Sequence, residues 1–318
     1  MQTVEKLNNL ERILAQSIKG QDHVIPRVSA VLKRAELGLS NPDRPKGNFL
    51  FLGPTGTGKT EICKAFTKTL FEDEKKLIRF DMSEYQTKEA LESLIGDKTG
   101  WNGRLGEAII KSEGSGVLLF DEMEKAHRDM LDIFLQMMDD ARLTTGTGLC
   151  HDLRNYYIVL TSNVGADKLM NARRLNFSTI EKSIKMTLSQ HGFRNEFIGR
   201  FNEVIVFKML DYDTMREIAT LNVSREVKRL SKVLSEKYNK NILLEPTPSI
   251  IDLTVMEGTN TRLGARPIRN FVETAMQNAV SNKILTGQIP QGRVTAHKSE
   301  FVIGEKLSLK TNIMNAEL

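Results

Sequence analysis

The sequence predicts an α/β protein. A five-stranded, mostly parallel sheet is expected between helical layers over residues 1–208. A small, mostly helical subdomain is expected over 209–303, with a tail over 304–318. Three observations carry this. Short, mainly apolar segments at 49–52, 77–80, 116–121, 156–160 and 203–207 read as strands, several with the unbroken apolarity of a parallel sheet buried on both faces. Segments of helical spacing lie between them, the alternation that builds such sheets. From Leu210 onward that alternation gives way to helices, at about 213–238, 248–257 and 264–285, with a short strand pair over 294–303.

In chain order, residues 4–36 read as two helices. Leu7, Leu10, Ile13 and Leu14 repeat at helical spacing, as do Val24, Val28, Val31 and Leu32, and Gly20 with Asp22 breaks the run. Asn41 to Pro45 is a turn cluster before the first strand. That strand runs into Gly53-Pro54-Thr55-Gly56-Thr57-Gly58-Lys59-Thr60, followed by a helix from Glu61 to Leu70. A strand, a GxxxxGK[ST] turn and a helix form the setting in which backbone N–H groups and a helix N-terminus converge on phosphate. Lys59 is suited to reach the β- and γ-phosphates of a nucleotide, and Thr60 to hold Mg²⁺.

The strand 116–121 ends on Asp121-Glu122. Two carboxylates at the C-terminal edge of an apolar strand stand where ligands bind in open α/β sheets. Asp121 is suited to orient Mg²⁺ and Glu122 to polarise an attacking water. The stretch 156–163 reads as another buried strand ending in polar residues, the last of which, Asn163, is placed to meet a phosphate or the water. Between these, Ala126 to Asp140 reads as a helix and Thr144 to Gly148 as a hairpin turn, and residues 164–195 read as polar and helical. Gly96 to Gly103 is a Gly-rich loop carrying the chain's sole tryptophan, Trp101, which a polar loop leaves exposed for contact.

Composition narrows the class. The net charge is +5, but acidic residues are interleaved with the basic ones, as a solvated surface requires and a nucleic-acid stripe does not. No apolar stretch approaches the ~20 residues that span a bilayer, and Met1 to Asn9 lacks a signal-peptide core. Cys63 and Cys150 have neither metal-ligand nor disulfide spacing, so a reducing, cytoplasmic setting is expected.

Taken together the motifs resemble the AAA+ ATPases, and among them the second ATPase module of the Clp/ClpB chaperones, from about Ser17 to Ile303. Ile18, Gly20 and Gln21 stand at the family's adenine-side box. Phe51 to Glu61 matches its phosphate loop, Phe80 to Tyr85 its Asp-Met-Ser-Glu-Tyr segment, and Phe120 to His127 its Asp-Glu-x-Glu-Lys-Ala-His run. Asp139 to Asn155 resembles the second pore-loop region, Thr161 to Asn163 sensor 1, Phe193 to Arg200 the arginine-finger segment, and Gly264-Ala265-Arg266 sensor 2. The resemblance implies an AAA+ P-loop fold and ATP hydrolysis with Mg²⁺. Asp121 and Glu122 would be the Walker B pair. Asn163 would position water, Arg200 would act in trans on a neighbouring subunit's γ-phosphate, and Arg266 would contact phosphate from the small subdomain. It also implies a hexameric ring that grips polypeptide by a pore loop at Gly100, Trp101, Asn102 and Gly103.

The sequence departs from the family in three ways. The pore loop has Trp-Asn where the family has Tyr-Val, and about five residues of its acidic, Gly-rich extension have no counterpart. No Ile-Gly-Phe/Leu tripeptide lies within 166–192, which argues against a ClpP-type peptidase partner. The family's N-terminal domain, first ATPase module and coiled-coil middle domain have no counterpart. The leading expectation is an ATP-driven protein remodeller. Two rivals stand beside it: an assembly or loading ATPase acting on nucleic acid, and a regulatory switch acting on one protein partner without threading.

Overall fold

The computed structural model describes residues 2–98, 100–171, 176–259 and 264–304, which fall into two compact units, 1–209 and 210–318. In the first unit the strands are β1 (Gly47–Leu52), β2 (Leu77–Asp81), β3 (Gly116–Asp121), the short hairpin pair β4 (Arg142–Thr144) and β5 (Cys150–Asp152), β6 (Tyr156–Ser162) and β7 (Glu203–Val206). Five of them form one sheet in the order β2-β3-β6-β1-β7. Every pairing in it is parallel, so "mostly parallel" sharpens to wholly parallel.

Alternate residues of each strand feed opposite cores. Leu50, Leu118, Phe120, Ile158 and Leu160 pack with helices Lys88–Ile95, Gly103–Lys111, Met130–Asp139 and Phe177–Thr187. Phe49, Phe51, Leu119, Tyr157 and Val159 pack with helices Leu10–Ser17, Val24–Glu36 and Lys59–Phe71. The middle strands are buried along their whole length because helices cover both faces. Register sets the working edge: Leu52 lies beside Ser162, and Asp81 beside Asp121.

Several boundaries differ from the sequence reading. Residues 4–36 hold three helices, not two, because the first run is interrupted at Asn9, whose side-chain amide takes up the Glu5 carbonyl. The helix expected from Ala126 begins at Met130. Met123–Lys125 form a 3-10 turn, Ala126 is extended, and His127 N–H donates to Tyr85 O at 2.9 Å. Gly103 is not a loop residue but the buried first residue of a helix, Gly103–Lys111. Thr99 and the stretch 172–175, within the expected loop and helical region, lie outside the described residues.

The second unit, taken by itself, contains helices Tyr212–Tyr238, Pro248–Gly258 and Arg266–Leu285. They pack around Val223, Leu230, Ile250, Ile268, Val272 and Met276. Asp211 caps the first helix by accepting from Thr214 N–H at 2.8 Å. The expected strand pair is present as β9 (Gly292–His297) and β10 (Glu300–Gly304). They form a three-stranded sheet with β8 (Leu244–Pro246), an edge strand too short to read in sequence. Leu263 and the tail 305–318 lie outside the described residues.

Candidate functional site

The phosphate-loop motif lies at the C-terminal edge of the sheet, between β1 and the helix that Lys59 opens. Gly53 has φ +128°, and a β-carbon there would sit 2.7 Å from the Phe207 carbonyl oxygen, so only glycine lets the loop leave the strand at this point. Thr57 Oγ1 closes the loop on Pro54 O at 2.8 Å. Lys59 is buried, and its Nζ donates to Gly53 O (2.5 Å), Pro54 O (2.9 Å) and Asn163 Oδ1 (3.3 Å). Thr55 Oγ1 reaches the same Asn163 oxygen at 3.4 Å. The end of β6 and the loop after β1 are thus joined through two side chains.

Burial favours the neutral amine and holds Lys59 down to about 8, while Asp121, Glu124 and Glu122 pull it back up. The sign of the resulting pH dependence follows. Between about 8 and the ordinary 10.5, the unfolded chain binds a proton that the folded chain does not, so stability rises with pH across that window. In nucleotide-stripped protein the gain should approach ~3 kcal/mol and should disappear in Lys59→Met. Urea unfolding at several pH values between 7.5 and 10, wild type against variant, measures it. Parallel curves would show that Lys59 does not titrate there.

The two carboxylates are organised by β6. Thr161 Oγ1 donates to Asp121 Oδ1 at 2.6 Å and accepts from Glu122 N–H at 3.2 Å. Asp121 is buried, and its Oδ2 lies 2.6 Å from Arg79 Nε without an aligned hydrogen bond. The Asp121 carboxylate is a hard oxygen donor of the kind that suits the water shell of a divalent cation, and Arg79 holds that position in this structure. Glu122 has a left-handed backbone, φ 59° and ψ 47°, uncommon for a residue with a side chain. Its carboxylate is partly exposed and pairs with Lys125.

Sequence reasoning gave no role to Thr161, Arg79 or Glu124. Glu124 Oε1 accepts from Asn163 N–H at 3.1 Å, and its Oε2 is buried without a partner. The signal for Glu124 was the third acid of the run Asp121 to Lys125; Thr161 had its place at a strand end, at the head of the Thr161–Asn163 segment.

Gln21 is fully buried. Its amide donates to Thr57 O (3.2 Å) and Lys208 O (2.9 Å), and its oxygen accepts from Lys208 N–H (3.0 Å). Ile18 is buried just before it, and Gly20 has φ +69°. Thr60 and Glu61 follow Lys59 in the first turn of the helix, with Glu61 3.9 Å from Lys64.

Arg200 is not among the groups around Lys59. Its guanidinium donates to Asp139 Oδ2 at 2.6 Å, beside Glu196 at 3.8 Å. Trp101 is 43% exposed on the loop before helix Gly103–Lys111, with Gly100 next to it. Asn102 and Gly103 instead face inward. Arg266 opens its helix in the second unit.

A glycine-rich loop on a parallel sheet edge, a buried lysine and facing carboxylates define a nucleotide-binding α/β domain. The chain belongs to the AAA domain family: residues 44–204 match the AAA domain (Cdc48 subfamily), and residues 210–296 match the C-terminal, D2-small domain of ClpB protein. Among similar proteins are chaperone protein ClpB of Meiothermus ruber, 38% identical over 91% of this chain and 34% of that protein. Others are chaperone protein ClpB 1 of Synechocystis sp. (37%, covering 95% and 32%) and the negative regulator of genetic competence ClpC/MecB of Bacillus subtilis (36%, covering 97% and 39%). The chain spans about a third of the length of these curated relatives.

Proposed function

We propose that the chain is an ATP-hydrolysing module of a protein remodeller, acting in the cytoplasm as a homohexameric ring on polypeptide and not on nucleic acid. No ClpP-type peptidase partner is part of this reading. The observation that carries the remodelling half is Trp101, a large rigid side chain 43% exposed on a loop of the same unit that holds the phosphate site.

In this reading Gly53, Pro54, Thr55, Gly56, Thr57 and Gly58 cradle the phosphates, and Ile18 and Gly20 flank the adenine. Thr60 and Asp121 would hold Mg²⁺, which neutralises charge on the β- and γ-phosphates when bound. Lys59 leaves the Gly53 and Pro54 carbonyls for phosphate oxygens. Glu122 accepts a proton as the attacking water oxygen bonds to the γ-phosphorus, and the bond to the β,γ-bridging oxygen breaks to leave ADP and phosphate. Asn163 aligns that water. Arg200 of one subunit and Arg266 from the second unit supply positive charge, the former across a subunit boundary.

The test is ATP turnover with and without a permanently unfolded model protein. The polypeptide should raise wild-type turnover, and Trp101→Ala should bring the stimulated-to-basal ratio toward one. Full stimulation in Trp101→Ala would remove threading by this loop. Stimulation by DNA and not by protein would move the site to the loading class.

A further inference from the structure

Asn102 stands where the N-cap of helix Gly103–Lys111 falls, yet its side chain caps nothing. Asn is among the best N-cap residues, so the absence of that bond asks where its oxygen goes. It goes to a hairpin more than forty residues on: Thr147 Oγ1 donates to Asn102 Oδ1 at 2.7 Å. Thr145 Oγ1, on a buried residue, stands 2.8 Å from Thr147 Oγ1 and 3.5 Å from the same Asn102 oxygen.

The backbones beneath this tie are equally close. Gly146 N–H donates to Ile95 O at 2.9 Å. A β-carbon on Gly146 would sit 2.2 Å from Gly96 O, and one on Gly103 would sit 2.2 Å from Gly96 N. Real β-carbons do not approach backbone atoms so closely, so three glycines allow three strands of chain to meet here.

We infer that Asn102 is a positioning residue: it ties the Trp101 loop to the hairpin turn Thr145–Leu149, so that the two present themselves to substrate as one body. The inference rests on the polypeptide-gripping role proposed above and deepens it. Each half of the body carries one exposed large apolar side chain, Trp101 at 43% and Leu149 at 46%. The substrate class this suits is an extended polypeptide offering apolar side chains, since both grips are apolar and neither carries charge. The polar Asn in the loop is therefore an internal strut, not part of the gripping surface. A shortened loop that lacks length to hold its own shape takes its rigidity from the hairpin instead.

Trp101 is the chain's sole tryptophan, so its fluorescence anisotropy reports on this loop without labelling. Thr147→Val keeps the side chain's shape and removes the hydroxyl. It should lower Trp101 anisotropy in the absence of any polypeptide, and raise the apparent KM for a permanently unfolded model protein in the turnover assay. The rise expected is roughly three- to tenfold, the size of one neutral hydrogen bond. Thr147→Ser should restore both values. Gly146→Ala, which forces the two segments apart from the backbone side, should act in the same direction as Thr147→Val. Unchanged anisotropy in both Thr147→Val and Gly146→Ala overturns the coupling, whatever turnover does. Lower anisotropy with wild-type turnover that ignores polypeptide upholds the coupling and removes the gripping role.

Discussion

Glu122→Gln is expected to lower ATP turnover by about 10²–10⁴ while leaving nucleotide binding in place. The substitution preserves the side chain's length and planarity. It also preserves what places the residue, because that is done by the backbone: the left-handed turn after β3 and the Glu122 N–H held by Thr161 Oγ1. What is lost is the acceptor of the water's proton. The neighbouring acids do not replace it. Asp121 is buried against Thr161 and Arg79, and Glu124 is anchored through Oε1 to the Asn163 N–H with its Oε2 buried. Single-turnover hydrolysis and equilibrium binding of a fluorescent ATP analogue separate the two quantities. Turnover within a few-fold of wild type would assign the base elsewhere, and weakened binding would make Glu122 a ligand holder instead.

The second large effect is at Arg200. Arg200→Ala should cost about 10³-fold or more in turnover, the range seen when a charge-stabilising arginine is removed from other phosphoryl-transfer sites. Its mount is rigid. Asn48 and Asn202 bond to each other, Asn48 Nδ2 donates to the Arg200 carbonyl, and Phe197 and Phe201 meet edge-on with ring centres 5.2 Å apart. Its guanidinium meanwhile pairs with Asp139, away from the chain's own Lys59. Mixing is the decisive measurement. Arg200→Ala subunits keep Glu122, and Glu122→Gln subunits keep Arg200, so a mixed ring contains sites with both groups intact. Recovered turnover in the mixture of two inactive proteins is expected only if the arginine serves a neighbour. No recovery would place its action within its own chain.

What could be read from the sequence was what local pattern encodes. The strands β1, β3 and β6 were legible because burial on both faces leaves an unbroken apolar run, and the phosphate loop because its spacing is fixed by backbone geometry. Asp121 and Glu122 stood out because acids do not otherwise end such a run. Less legible was whatever depends on a distant partner. Helix Gly103–Lys111 went unread because Gly103 and Gly106 are poor helix residues. Packing requires them, since Gly103 abuts Gly96 and a β-carbon on Gly106 would meet Thr145 and His151. Thr161 became meaningful only once β6 lay beside β3. Asn102 read as a polar member of the gripping loop until Thr147 was beside it.

The buried carboxamide of Gln21 has a mechanical consequence. One end touches the carbonyl of Thr57 within the phosphate loop, and the same group grips both backbone atoms of Lys208. The second compact unit begins at Leu210. The loop and residues 207–208 are held together twice, by this amide and by the close approach of Gly53 to the Phe207 carbonyl. Gln21 is thus a cross-brace inside the first unit, fixing the spacing between the glycine-rich loop and the segment that follows β7.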